Sequence, residues 1–157
     1  MIVNSESPVL QTPLFNEVMR IVSSVEGWLS DREIVFLYNA ARACSPGGVI
    51  LEIGSWKGKS TICLAKGSYA GGKALVYAVD PHVGTLEQNH WLGGGSSLDD
   101  FKRNIEAARI ANLVIPVVKR SQDLASEWNK PISFLWIDGD HSYESAKRDF
   151  DLFSPWV

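Results

Sequence analysis

Val49-Ile50-Leu51-Glu52-Ile53-Gly54-Ser55-Trp56-Lys57-Gly58-Lys59-Ser60-Thr61 is an apolar run that stops on an acid and breaks into glycines just before a helical pattern. Gly54 and Gly58 let the backbone turn sharply and approach a ligand closely. Ser60 and Thr61 are placed to cap the following helix, whose free N–H groups would face that ligand. The stretch reads as strand, ligand-binding turn and helix.

The same alternation runs on downstream. A helical pattern from about Ser60 reaches a Gly71-Gly72 turn, and Ala74 to Val79 is a strand ending on Asp80. After a glycine-rich loop that carries His90 and Trp91, Ser97 and Asp100 mark a helix start, with Phe101, Ile105 and Ala108 on one face. Leu113 to Val118 is the third strand, Ser121 to Trp128 a short helix, and Ile132 to Ile137 a fourth strand ending on Asp138. A last helix from about Ser142 places Tyr143, Ala146, Phe150 and Phe153 on one stripe and stops before Pro155. Upstream, Thr12 and Pro13 open a helix whose apolar positions run from Leu14 through Val18, Ile21, Val22 and Val25 to Trp28. Ser30 and Glu33 form a capping box for a second helix carrying Ile34, Leu37, Ala41 and Cys44.

Strands and helices in alternation predict an α/β fold, a doubly wound parallel sheet covered on both faces with ligands at the carboxyl ends of the strands. Glu52, Asp80 and Asp138 all fall near such ends. Pro116 cannot donate a ladder hydrogen bond, which puts its strand at an edge. The nearly unbroken apolar run Ile132 to Ile137 predicts a strand in the middle of the sheet.

With 157 residues, 45% of them hydrophobic, the chain fits one domain over 1–157, a helical part over 1–46 preceding the alternating part over 47–157. A net charge of -3 with scattered Lys and Arg argues against nucleic acid or an anionic membrane as partner and for a small molecule. Cys44 and Cys63 are not spaced for a disulfide or zinc framework and read as buried thiols. Met1 to Ser7 lacks a leader-like pattern and no apolar run reaches membrane-spanning length, so a cytoplasmic location is expected.

Three ligands compete for the turn. Gly58-Lys59-Ser60-Thr61 suggests a P-loop of a nucleotide hydrolase, but Ile53 stands where the first glycine of that motif belongs, and Glu52 would put a carboxylate beside the phosphates. A dinucleotide fold needs Gly-x-Gly-x-x-Gly, whereas this turn reads Gly-Ser-Trp-Lys-Gly. Acids at the strand ends without a full phosphate cradle favour a positively charged, zwitterionic ligand.

Glu52 to Thr61, Val79-Asp80, and Ile137-Asp138-Gly139-Asp140-His141-Ser142-Tyr143 resemble the first, second and fourth motifs of class I S-adenosylmethionine-dependent methyltransferases, over about Ser30 to Trp156. More narrowly they resemble the group of macrocin-type O-methyltransferases and cephalosporin-hydroxylase-like proteins. The resemblance implies a Rossmann-like fold of seven strands, of which this chain supplies an N-terminal portion of four, and S-adenosylmethionine as cofactor. It implies that Glu52, Gly54, Ser55, Gly58 and Ser60 surround the methionine part of that cofactor, that Asp80 binds the ribose hydroxyls, and that His82 and Ser121 lie near the adenine. For Ser60 and Ser121, plain helix capping is the competing reading.

In metal-dependent relatives the acid at the position of Asp138 binds Mg2+ and the histidine three residues on is the general base, which is where His141 stands. Asp140 is either a further ligand or a cap. The reading is O-methylation of a small or sugar-containing acceptor. Its rivals are a non-catalytic S-adenosylmethionine-binding or interaction module and the nucleotide hydrolase. An apolar fourth strand left as an edge would need cover, from further residues or from a second copy in a homodimer.

Overall fold

The computed structural model describes residues 13–83 and 95–157. Thr12, Met1 to Ser7, His90 and Trp91 lie outside them.

Helix α1 (Pro13–Val22) buries Phe15, Val18 and Val22, and α2 (Asp31–Ala43) buries Ile34, Leu37, Tyr38 and Ala41. The capping box of α2 forms: the Ser30 amide donates to Glu33 Oε2 at 2.7 Å and the Glu33 amide to Ser30 Oγ at 3.4 Å. The Ser30 amide and the Ser30 hydroxyl, which also donates to Glu33 Oε2 at 2.7 Å, hold the Glu33 carboxyl below its ordinary pKa. The apolar stripe read through to Trp28 is broken after Val22. Ser23 and Ser24 turn their hydroxyls back onto the carbonyls of Arg20 and Ile21, ending the helix, and Trp28 stands 65% exposed.

The sheet is built from β1 (Val49–Ile53), β2 (Val76–Val79), β3 (Val114–Val117) and β4 (Ile132–Ile137), all parallel in the order β3-β2-β1-β4. Between them run α3 (Lys59–Ala70), α4 (Leu98–Ala107) and α5 (Ser121–Ala125), and α6 (Tyr143–Phe153) follows β4. The order reverses at β1: the chain first builds toward β3, then returns to add β4 on the other side, which opens a crevice at the carboxyl ends of β1 and β4. This is the Rossmann-like doubly wound parallel sheet that the alternation of strands and helices predicted.

One face packs Ile50, Val76, Ala78 and Val114 under α1 to α4; the other packs Leu51, Ile53 and Val79 with Leu124, Trp128 and Phe153. Both thiols are free and buried, as expected.

Pro116 does lie on an edge strand. Among the four described strands β4 is the opposite edge, half-buried from Phe134 to Ile137; the middle position its apolarity suggested belongs to the seven-stranded fold that the resemblance implied, and the edge expected of it among four strands is what is seen. Its apolarity answers to cover above and below, from Phe36 against Phe134 and Trp136 on one side and the Phe153 cluster on the other. The expected stripe of α6 is also rotated. Tyr143 and Phe150 are exposed, while Asp149 and Phe153 face inward, because Asp149 pairs with Ser121 and Phe153 meets the Trp128 ring edge-on at 6.0 Å. No described helix is long and apolar enough to cross a membrane.

Candidate functional site

The ends of β1, β2 and β4 meet in a cleft of about 900 Å³ whose walls include Gly54, Ser55, Asp80, Ser121, Asp138 and His141. The strand ends are held together there by two bonds of 2.8 Å, Gly54 N–H to the Val79 carbonyl and Asp138 N–H to the Ile53 carbonyl. Gly54 has φ +89°, and a side chain on it would collide with the Asp138 carbonyl, so only glycine lets β1 turn against β4.

Past Gly54 the chain closes a turn, Gly58 N–H to the Ser55 carbonyl at 2.7 Å, with Trp56 in the left-handed region at φ +40°. That conformation costs a bulky residue on the order of 1–3 kcal/mol and is held by its surroundings. Gly58 is the N-cap of α3 at φ +88°, and its open side faces Phe101 rather than the cleft, so its expected place around the ligand is not observed. Nor do Ser60 and Thr61 cap α3: the cap makes no side-chain bond, which leaves first-turn amides free beside the lining residues Lys59 and Ser60.

Glu52, expected around the methionine part of the cofactor, does not line the cleft. It is completely buried beneath the turn, where Thr61 donates to its Oε2 at 2.5 Å and its Oε1 has no partner. Burial pushes its carboxyl up to about 7; the Ser60 and Thr61 hydroxyls pull it down, and the charges of Asp138 and Asp80 add to the rise. Ser55 is also buried, lines the cleft, and has an unpartnered Oγ.

Asp80 sits at the rim with both oxygens engaged: Oδ2 accepts the Trp56 amide at 2.7 Å and Oδ1 the His82 amide at 2.6 Å. His82, expected near the adenine, does not line the cleft, because the ring turns inward. It is 1% exposed, bonded through Nδ1 to Ser97 Oγ at 2.8 Å and packed 5.3 Å from Phe101, and burial lowers its pKa. Ser97 is thereby taken from capping α4. Ser121 does line the cleft, but it caps nothing. It is the first residue of α5 and gives its hydroxyl to Asp149 Oδ1 at 2.5 Å.

At the β4 end, His141 Nε2 lies 3.5 Å from Asp138 Oδ1, with His141 73% exposed. Burial raises the Asp138 pKa, and His141 opposes it. Asp140 is committed to the turn, accepting from the Ser142 amide and the Ser145 hydroxyl at 3.0 Å each, so it serves helix initiation. Among the described residues no three His, Cys, Asp or Glu side chains come together as a metal site, and Asp138 is the carboxylate that the sequence singled out for Mg2+.

Sequence reasoning overlooked the connection between α1 and α2. Glu26 pairs with Lys57 Nζ at 2.6 Å, the Gly27 carbonyl accepts from Lys59 Nζ at 3.0 Å, and Trp28 stacks on Trp56 with centroids 4.9 Å apart and planes 16° from parallel. Both tryptophans line the cleft. The only available signal was that Trp56 and Lys57 occupy a ligand turn where small residues would suffice. Asp149, buried and on the wall, was not singled out from the sequence.

A family model described as a methyltransferase domain matches residues 51–157. Among solved structures the chain is similar to cofactor-bound Rv0187 from MTB, at 22% identity and TM-score 0.60, covering 96% of this chain and 61% of that one. It is similar to the O-methyltransferase TomG from Streptomyces achromogenes, in complex with SAM, at 17% identity and TM-score 0.64, covering 92% and 60%. An O-methyltransferase from Bacillus cereus in complex with SAH matches at 22% identity and TM-score 0.56, covering 92% and 64%. The chain thus spans about three fifths of the length of these proteins.

Proposed function

Because the chain belongs to the methyltransferase-domain family, we propose that its cleft binds S-adenosylmethionine and that it works in methyl transfer to a hydroxyl of a small-molecule acceptor, in the cytosol. The supporting observation is the cleft itself, where acids from two strand ends and the orphaned, buried Ser55 Oγ converge on one hollow. A ligand with a cationic sulfur, an ammonium and two ribose hydroxyls supplies the donors that Ser55 and Asp80 lack, and its carboxylate suits the uncapped first turn of α3.

When bound, that cofactor supplies a methyl group made electrophilic by its positive sulfur. This chain's residues bind, orient and deprotonate. Asp80 holds the ribose with lone pairs left over from its two amide bonds. Asp138 and His141 would face the acceptor, with His141 placed to take the proton of its hydroxyl and Asp138 to steady the resulting imidazolium. Acceptors in which that hydroxyl belongs to a sugar-containing metabolite, as in the macrocin-type group, fall within this reading.

The nucleotide-hydrolase alternative loses ground, since the rim acids Asp80 and Asp138 would repel a triphosphate. Titration calorimetry tests the proposal. S-adenosylhomocysteine should bind and ATP with magnesium should not; the reverse pattern would overturn it. Cofactor binding with no methyl transfer to any acceptor would favour a non-catalytic module.

A further inference from the structure

We propose that the buried imidazole of His82 is a positioning residue for the cofactor: it holds its own backbone left-handed, and the amide which that backbone presents aims Asp80 at the vicinal hydroxyls of a ribose. This rests on the methyltransferase reading above and deepens it by a residue that itself touches no ligand.

Among the described residues, four that are not glycine have left-handed backbone: Trp56 at φ +40°, Lys73 at +59°, His82 at +55° and Arg109 at +58°. Lys73 and Arg109 close the turns that follow α3 and α4, donating back to the carbonyls of Ser68 and Glu106, an ordinary place for that conformation. Trp56 and His82 follow strands instead, and both give their amides to one carboxylate, Trp56 to Asp80 Oδ2 at 2.7 Å and His82 to Oδ1 at 2.6 Å. A bulky residue keeps such a conformation only where its surroundings impose it. Two of them aimed at the same acid fix its direction.

Each has its own holder. The Trp56 ring lies on Trp28 with planes 16° apart. The His82 ring is 1% exposed, packs 5.3 Å from Phe101 and bonds through Nδ1 to Ser97 Oγ at 2.8 Å, while the Ser97 amide donates to the His82 carbonyl at 3.3 Å. Ser97 thus grips residue 82 by side chain and backbone together. His82 Nε2 is left buried with no partner, a cost that an apolar side chain filling the same space would avoid. Charge is not the link to Asp80. Nδ1 lies 4.0 Å from Asp80 Oδ1, beyond hydrogen-bond reach, and burial lowers the imidazole pKa, so the ring is neutral at pH 7.

With one amide on each oxygen, Asp80 keeps a lone pair free on both, which suits two adjacent hydroxyls. A carboxylate already fixed in that direction loses little freedom when the diol docks.

The test is calorimetry with S-adenosylhomocysteine and with its 2′,3′-dideoxy analogue, which lacks the vicinal hydroxyls. His82→Ala should weaken S-adenosylhomocysteine by about tenfold and leave the dideoxy analogue unchanged. His82→Asn, which tolerates left-handed backbone and carries a polar atom where Nδ1 stood, should recover most of the loss. Ser97→Ala removes only the hydroxyl; it should lose affinity in the same direction, and it decides the matter if His82→Ala does not fold. In an Asp80→Ala background neither substitution should cost anything further. Unchanged affinity, an equal loss for both ligands, no recovery in His82→Asn, or the same loss without Asp80 would each overturn the positioning role. Wild-type protein that binds both ligands equally would overturn it too, by removing the diol contact. Wild-type protein that binds neither would instead overturn the reading on which the proposal rests.

Discussion

The Trp56 amide donates to Asp80 Oδ2 at 2.7 Å, so the turn after β1 and the acid ending β2 form one unit. The other Asp80 oxygen takes the His82 amide, which fixes the carboxylate without saturating it. Asp80→Ala should therefore weaken S-adenosylhomocysteine binding and loosen the turn together, each lost charge-assisted bond being worth about 1.5–3 kcal/mol. Calorimetry and urea denaturation read the two effects. Unchanged affinity would remove Asp80 from the cofactor site.

Gly54→Ala addresses the crossing of β1 and β4. The added methyl would collide with the Asp138 carbonyl and the Gly139 backbone, and the left-handed φ penalises it again. Destabilisation of about 2–4 kcal/mol is expected in denaturant melts, with loss of cofactor affinity, because backbone on both sides must move. A variant as stable as wild type would mean that the strand ends are not locked as described.

How far the sequence could be read follows from where the controlling interactions lie. The strand, turn and helix at 49–61, the Ser30–Glu33 box and the edge position of the Pro116 strand depend on local spacing or on one missing donor, and these are written in neighbouring residues. The site residues that were displaced depend on distant partners. Glu52 is drawn under the turn by Thr61, His82 inward by Ser97, and Ser121 sideways by Asp149, 28 positions away. The composition of β4 leaves its place in the sheet open, because an apolar strand covered on its two faces looks the same whether or not it has a neighbour at its side. Trp28 was absorbed into a helical stripe that two serines cut short.

Glu52 gives the fold a pH dependence of definite sign. Its carboxyl rises from 4.5 to about 7 on folding, so the native state holds a proton that the unfolded chain has released. The stabilisation is complete below pH 4.5 and is lost as pH rises to about 7, a change of roughly 3 kcal/mol for the isolated group. Glu52→Gln should flatten that slope while keeping a neutral partner for Thr61. Melting temperatures between pH 5 and 8 measure it, and parallel curves for both proteins would refute the buried neutral carboxyl.

Ser121→Ala separates support from recognition. The hydroxyl donates to Asp149, which is 6% exposed, and its removal strips that carboxylate of a partner at a cost of about 1–3 kcal/mol. Stability should fall while S-adenosylhomocysteine affinity changes little. The opposite ranking would restore Ser121 as a direct contact to the adenine.

His141 offers the sharpest test of chemistry because so little else depends on it. Its side chain is 73% exposed and its recorded ion-pair partner is Asp138, so His141→Ala should shift stability by no more than about 0.5 kcal/mol. It is not needed to hold the cofactor, whose proposed contacts are Ser55 and Asp80, so S-adenosylhomocysteine affinity should persist. If His141 accepts the acceptor's proton, methyl transfer should nevertheless fall by about a hundredfold or more, and transfer to a more acidic phenol should fall less. Single-turnover rates on a series of acceptors of decreasing hydroxyl pKa would show this. An equal loss across the series would mean that His141 positions the acceptor, and no loss would place the base elsewhere.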